Sequence, residues 1–230
     1  MIIENMSPQA IFREMNSDAK NMLEWAGNLI GAELRHKFNR SKVYPVYAVR
    51  KWRSPATHTK WEIILICPEK KEANTPLVIS YVKYDTEHGK GAFLYKYTDY
   101  GFTVIQYTPH FFSRYRERYI EPLEVNTSKF EDLIQYFFFH NQELNLQIIT
   151  YEICYGACNH GSIFGRHLWD HFCLIKTYIN NGLLSNVQRQ RLDTFIKQTQ
   201  IPSGATLCQD VPELQESPHK RLKYLPPLHQ

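Results

Sequence analysis

The chain has 230 residues, 43% of them hydrophobic and 22% charged, and carries a net charge of +4 at neutral pH. That length buries enough apolar surface to fold without a disulfide or metal staple. A charge of +4 over so large a surface is a weak global field, so the case for a nucleic-acid partner has to be local. The five cysteines (Cys67, Cys154, Cys158, Cys173 and Cys208) are odd in number and irregularly spaced, which does not resemble a secreted disulfide framework and fits reduced thiols in the cytoplasm better. No apolar run of about 18 residues occurs, so no membrane span is expected. The first ten residues contain Glu4 and no basic-then-apolar pattern, so no signal peptide is expected there.

The first element is a helix over residues 8–37. Ser7 can cap it, Pro8 suits its first turn, and Ile11, Met15, Met22, Trp25, Leu29 and Ala32 recur along one stripe. Gly27 and Gly31 weaken the pattern and are expected to divide the helix. The period then changes to two. Residues 43–49, 61–67, 77–83, 92–97 and 102–107 alternate, and the breaks between them are rich in turn formers such as His88-Gly89 and Tyr100-Gly101. Five short strands with tight connections read as an antiparallel meander. The 14% aromatic content favours cross-strand aromatic pairs.

Thr108 and Pro109 start a second helix that runs to about Tyr119, before Pro122. Thr127 or Ser128 caps a third helix through about Gln142. Residues 146–153, 162–166 and 171–179 read as further strands, and 183–198 as a final helix. The fold class is α+β: an antiparallel meander sheet with an N-terminal helix and helices packed on one face. Residues 1–200 read as one domain, with a helix and meander over 8–107 and a helix-helix-sheet part over 108–198. Residues 201–230 read as an irregular tail.

The segment from Thr108 to Ile120 is the candidate ribonuclease or nucleic-acid-binding site. On a helix, His110, Arg114, Glu117 and Arg118 share one face, while Phe112, Tyr115 and Tyr119 share an apolar one. His110 falls in the first turn, where the positive end of the helix disfavours a charged imidazole. A neutral imidazole is a competent general base. Arg114 and Arg118 are planar donors suited to phosphate. A base beside phosphate-binding cations is what metal-free RNA cleavage through the 2′-hydroxyl requires. The bland alternative is a solvated face with weak ion pairs.

The spacing His110, Arg114, Arg118 with a following Ile120 resembles the helix that opens the toxin-like domains of the barnase, EndoU, colicin and RelE ribonuclease superfamily. The resemblance spans residues 108–179. It implies a second helix and an antiparallel sheet, with later strands adding polar site residues. Lys176 and Thr177 are the matching positions, and Arg166 is a further one. The extra helix and meander over 8–107 depart from that family.

Other constellations point less far. Cys154 and Cys158, followed by His160, have the pair spacing of a zinc site but no assured further ligands, so no metal and no cofactor is expected. Gly156, Gly161 and Gly165 lack the context of a phosphate loop and read as turn residues. Trp52, Trp61, Tyr81, Tyr84, Tyr95 and Tyr97 interleave with Lys51, Arg53, Lys60, Lys83 and Lys96. That pattern suits base stacking, but core pairing is favoured over it. The leading expectation is a metal-independent ribonuclease-like protein acting on RNA. The alternative is a non-catalytic nucleic-acid-binding or protein-interaction module.

Overall fold

The computed structural model describes residues 6–98, 101–142, 144–148, 152–180 and 182. The sequence-read helix over 183–198 and the tail over 201–230 lie outside the described residues. Ser7 accepts a hydrogen bond from the Ala10 amide and Pro8 occupies the first turn, so α1 (Pro8–Leu29) starts where the sequence places it. Gly31 falls in a π-helical turn, Ile30–Leu34, that widens the helix without ending it. The chain continues as α2 (Arg35–Arg40).

The five expected strands are β1 (Val46–Arg53), β2 (Lys60–Cys67), β3 (Leu77–Thr86), β4 (Gly89–Thr98) and β5 (Gly101–Tyr107). They pair in sequence order, each antiparallel to the next. A second meander follows: β6 (Asn145–Ile148), β7 (Cys154–Cys158), β8 (Gly161–Trp169) and β9 (Phe172–Ile179). β9 lies parallel to β5 and joins both meanders into one nine-stranded sheet among the described residues, ordered β1-β2-β3-β4-β5-β9-β8-β7-β6. The α+β class therefore stands, and the sheet is mixed through one parallel pair.

Alternation sends side chains to two cores. Trp61, Ile63 and Leu65 face the N-terminal helices, where Ile11, Met15 and Met22 of α1 and Phe38 of α2 meet them. Ile64, Tyr81, Leu94, Tyr107 and Ile175 face the opposite side, covered by α3 (Pro109–Tyr115) and α4 (Leu133–His140). The expected helices do pack on one face, and the N-terminal helix covers the other. Trp61, Tyr81, Tyr84 and Tyr95 are buried, so the interleaved aromatic residues pair within the core instead of forming an exposed platform.

Three local expectations need correction. The third helix is capped by Asp132, whose carboxylate accepts from the Gln135 amide at 2.9 Å, and ends at His140. Neither Thr127 nor Ser128 caps it. The strand read over 146–153 is β6, Asn145–Ile148, and residues 154–158, read as no strand, form β7. Gly156 and Gly165 lie inside strands. At Gly165 an added Cβ would meet the Leu174 carbonyl oxygen at 2.0 Å, so the close backbone approach demands glycine. Gly165→Ala should therefore destabilise the fold by about 1–3 kcal/mol in urea unfolding. Gly27→Ala, in α1 with nothing within 4 Å of the new atom, should stabilise it by about 0.5–1 kcal/mol.

β9 carries a bulge. Phe164 pairs with Thr177 while Gly165 pairs with Ile175, leaving Lys176 as the extra residue. The insertion shifts the alternation, so that Tyr178 joins Cys173 and Ile175 on the face beneath α3.

Candidate functional site

The expected helix face exists, but its side chains are engaged among themselves and with the sheet. The Thr108 hydroxyl accepts from the Phe111 amide at 3.2 Å and starts α3 as read from sequence. His110 is exposed and accepts from Arg114 Nε at 3.4 Å. Arg114 also pairs with Glu117 at 2.7 Å. Arg118 belongs to a π-helical turn, Arg116–Ile120. It donates to the Tyr178 carbonyl at 2.7 Å, while Asn180 donates to its own carbonyl at 3.0 Å. Arg118 is thus the tie between this turn and β9. Lys176 and Arg166 are exposed and Thr177 is half-buried. No hydrogen bond or ion pair among the described residues joins Lys176, Thr177 or Arg166 to His110, Arg114 or Arg118.

The other face of α3 leads to a more concentrated constellation. Phe111, Tyr115 and Tyr119 rise along the helix at four-residue steps with nearly parallel rings. His160, in the turn between β7 and β8, completes the ladder: it stacks on Tyr119 with ring centroids 4.1 Å apart and an interplanar angle of 13°. His140, the last residue of α4, brings a second imidazole 5.6 Å from the first. Tyr136, one turn earlier, lies 4.4 Å from the His140 ring.

Hydrogen bonds fix this turn from every side. The His160 amide donates to Asn141 Oδ1 at 3.1 Å, and the Tyr178 hydroxyl donates to the His160 carbonyl. Asn159 donates to the His140 carbonyl at 2.7 Å, satisfying one of the carbonyls that a helix end leaves open. The Tyr115 hydroxyl and His160 Nδ1 are 2.5 Å apart, and Asn141 Nδ2 lies 3.3 Å from the same nitrogen.

These contacts determine the tautomer. Asn141 Oδ1 accepts from an amide, so its Nδ2 must be the donor towards Nδ1. Burial pushes the Tyr115 phenol well above its ordinary range, so it too keeps its proton and donates. Nδ1 is therefore the acceptor, and Nε2 carries the hydrogen of a neutral ring. Burial, aided by His140, lowers the His160 pKa to about 4. Burial also lowers that of His140. Neither ring nitrogen of His140 has a hydrogen-bond partner among the described residues.

Comparison with protein-family models, with curated proteins and with solved structures finds no match.

Of the described thiols, the hydrogen bond with Cys154 lowers the pKa of Cys173, and the other three are pushed up. Burial pushes Cys158 up to about 11. The hydrogen bond to Cys173 and burial push Cys154 up. No three His, Cys, Asp or Glu side chains among the described residues are grouped to hold a metal. No helix among them is long and apolar enough to cross a membrane. The sequence reading had weighed His160 only as a neighbour of the cysteines, and had not singled out His140. A usable signal was present: two His/Asn dipeptides, His140-Asn141 and Asn159-His160, one closing an aromatic run and one between two strand patterns.

Proposed function

We propose that this chain is a metal-independent ribonuclease-like protein acting on RNA phosphodiesters, with His140 and His160 as its reacting pair. The observation that carries the reading is the placement of two imidazoles with ring centroids 5.6 Å apart, one with its tautomer fixed and one whose ring nitrogens have no hydrogen-bond partner among the described residues. His140 offers a lone pair near neutral pH and serves as general base for the 2′-hydroxyl. The O2′–P bond forms as the P–O5′ bond breaks, leaving a 2′,3′-cyclic phosphate. The new imidazolium of His140, or water, returns a proton to the departing 5′-oxygen. His160 does not transfer a proton in this scheme. Its Nε2–H donates to the phosphoryl oxygens as their charge builds. The pair needs no metal for this chemistry.

The roles first read onto His110, Arg114 and Arg118 move accordingly. His110 is held against Arg114, and Arg114 against Glu117. Arg116, exposed on the same turn as Tyr119, is an arginine placed to meet phosphate. The half-buried rings of Tyr119 and His140 suit stacking by an unpaired base.

The test is cleavage of mixed RNA in the presence of a chelator. The wild type and His110→Ala should cleave alike, and His140→Ala/His160→Asn should not cleave. Absence of wild-type cleavage, or its loss in His110→Ala alone, removes this assignment. A second reading has its own support, because the bonds around His160 also dock the β7–β8 turn onto the helices. On that reading the chain is a non-catalytic binding module. It then binds RNA with a steep salt dependence, or not at all, and leaves it intact.

A further inference from the structure

The docking of the β7–β8 turn rests on His160 staying uncharged. Its Nδ1 accepts from Tyr115, and its ring lies stacked on Tyr119 and beside His140. A proton on Nδ1 turns that acceptor into a donor facing two donors, Tyr115 and Asn141 Nδ2. It also places a cation where no carboxylate among the described residues pairs with the ring. Among the described residues, the titratable groups around His160 are Tyr115 at the end of α3, Tyr119 beyond it, Tyr136 and His140 on α4, Tyr178 on β9, whose hydroxyl meets the His160 carbonyl, and Cys158 on β7, beside the His160 backbone. None of them is a carboxylate. The charged side chains on the adjoining turn are Arg116, Glu117 and Arg118; Glu117 pairs with Arg114 at 2.7 Å, and Arg118 donates to the Tyr178 carbonyl.

We propose that this turn is an acid-released latch: protonation of the His160–His140 pair undocks it from α3 and α4. The inference goes beyond the catalytic reading and stands without it, since it concerns only what a proton does to the contact. A second proton on His140, with ring centroids 5.6 Å apart, sets two like charges against each other. The direction follows from linkage. A histidine whose docked pKa lies below its free value binds its proton better when undocked. Docking is therefore at full strength above about 6.5 and is lost progressively as pH falls towards 4.

The experiment is hydrogen exchange of the full chain at pH 7 and pH 4.5, corrected for intrinsic rates. Peptides covering residues 154–164 report the latch, and peptides covering β2 and β3 serve as the internal reference. In the wild type, protection of the turn should fall about tenfold relative to the reference, a value reduced from the full linkage because the ring is half-exposed. His160→Asn keeps a polar acceptor near the Nδ1 position and does not titrate, so its turn should change less than about twofold. His140→Asn should fold irrespective of that variant and should show a smaller acid loss than the wild type. Equal loss over turn and reference in the wild type overturns the latch. So does a turn-specific loss of wild-type size in either variant.

Discussion

Replacing His140 with alanine should lower chelator-resistant RNA cleavage by about 10²–10⁴-fold, the usual contribution of a positioned general base. The loss should fall on kcat more than on KM, because the missing lone pair acts only when the 2′-hydroxyl gives up its proton. The wild-type rate should be flat through neutral pH and fall only on the acid side, below the ordinary histidine range. Burial lowers the pKa of His140, so the base stays in its active form to lower pH than a free imidazole would. Tyr115→Phe should have a milder effect. It removes one donor to His160 Nδ1 and leaves Asn141 Nδ2, 3.3 Å away, as the other. A loss of about tenfold is expected, as for other partners that orient a reacting group through a hydrogen bond. Unchanged kinetics in His140→Ala would remove the base from this scheme, whatever the state of the turn.

Much of the fold was readable because it is local. β1 to β5 are rich in β-branched and aromatic residues and are separated by turn formers. α1 and α3 begin at side chains whose hydroxyls bond the expected amides. β7 was missed because Cys-Tyr-Gly-Ala-Cys has small residues where β-branched ones usually mark a strand. The parallel pairing of β5 with β9 joins Val104 to Phe172, a separation on which periodicity is silent. The same limit governed the site. Helical spacing grouped His110, Arg114, Glu117 and Arg118 on one side and Phe112, Tyr115 and Tyr119 on another; hydrogen bonds join the first three of the polar set, while Arg118 turns to β9. Spacing alone could not say what either side meets. Arg118 reaches β9 through a π-helical turn and Tyr178 faces α3 through a bulge, and both depend on one extra residue in a repeat. The His140–His160 pair is drawn from a helix end and a hairpin turn that only the tertiary fold brings together.

Lys83→Met should cost about 2–4 kcal/mol of stability, measured by urea unfolding at neutral pH. Lys83 sits between Glu62 at 2.9 Å and Asp132 at 2.5 Å, with only 15% of its side chain exposed. Removing it leaves two carboxylates facing each other across a poorly hydrated site, and unpairing a buried ion is costlier than the pair was stabilising. The upper end of the usual range is not expected, because Asp132 keeps 26% of its side chain exposed and water screens it. Tyr81 donates to Glu62 at 2.8 Å, so part of the Glu62 charge remains satisfied. Glu62→Gln in the same chain should recover a portion of the loss, giving a double-mutant cycle that is clearly non-additive. The change should also reach the His140–His160 pair. Asp132 uses one carboxylate oxygen to cap α4 and the other to hold Lys83. His140 closes the same eight-residue helix, about 12 Å away at 1.5 Å per residue. A helix this short has no interior to absorb a frayed first turn, so its last ring should shift when its cap does. Lys83→Met should therefore lower RNA cleavage through the position of His140 while leaving the His110 face of α3 untouched.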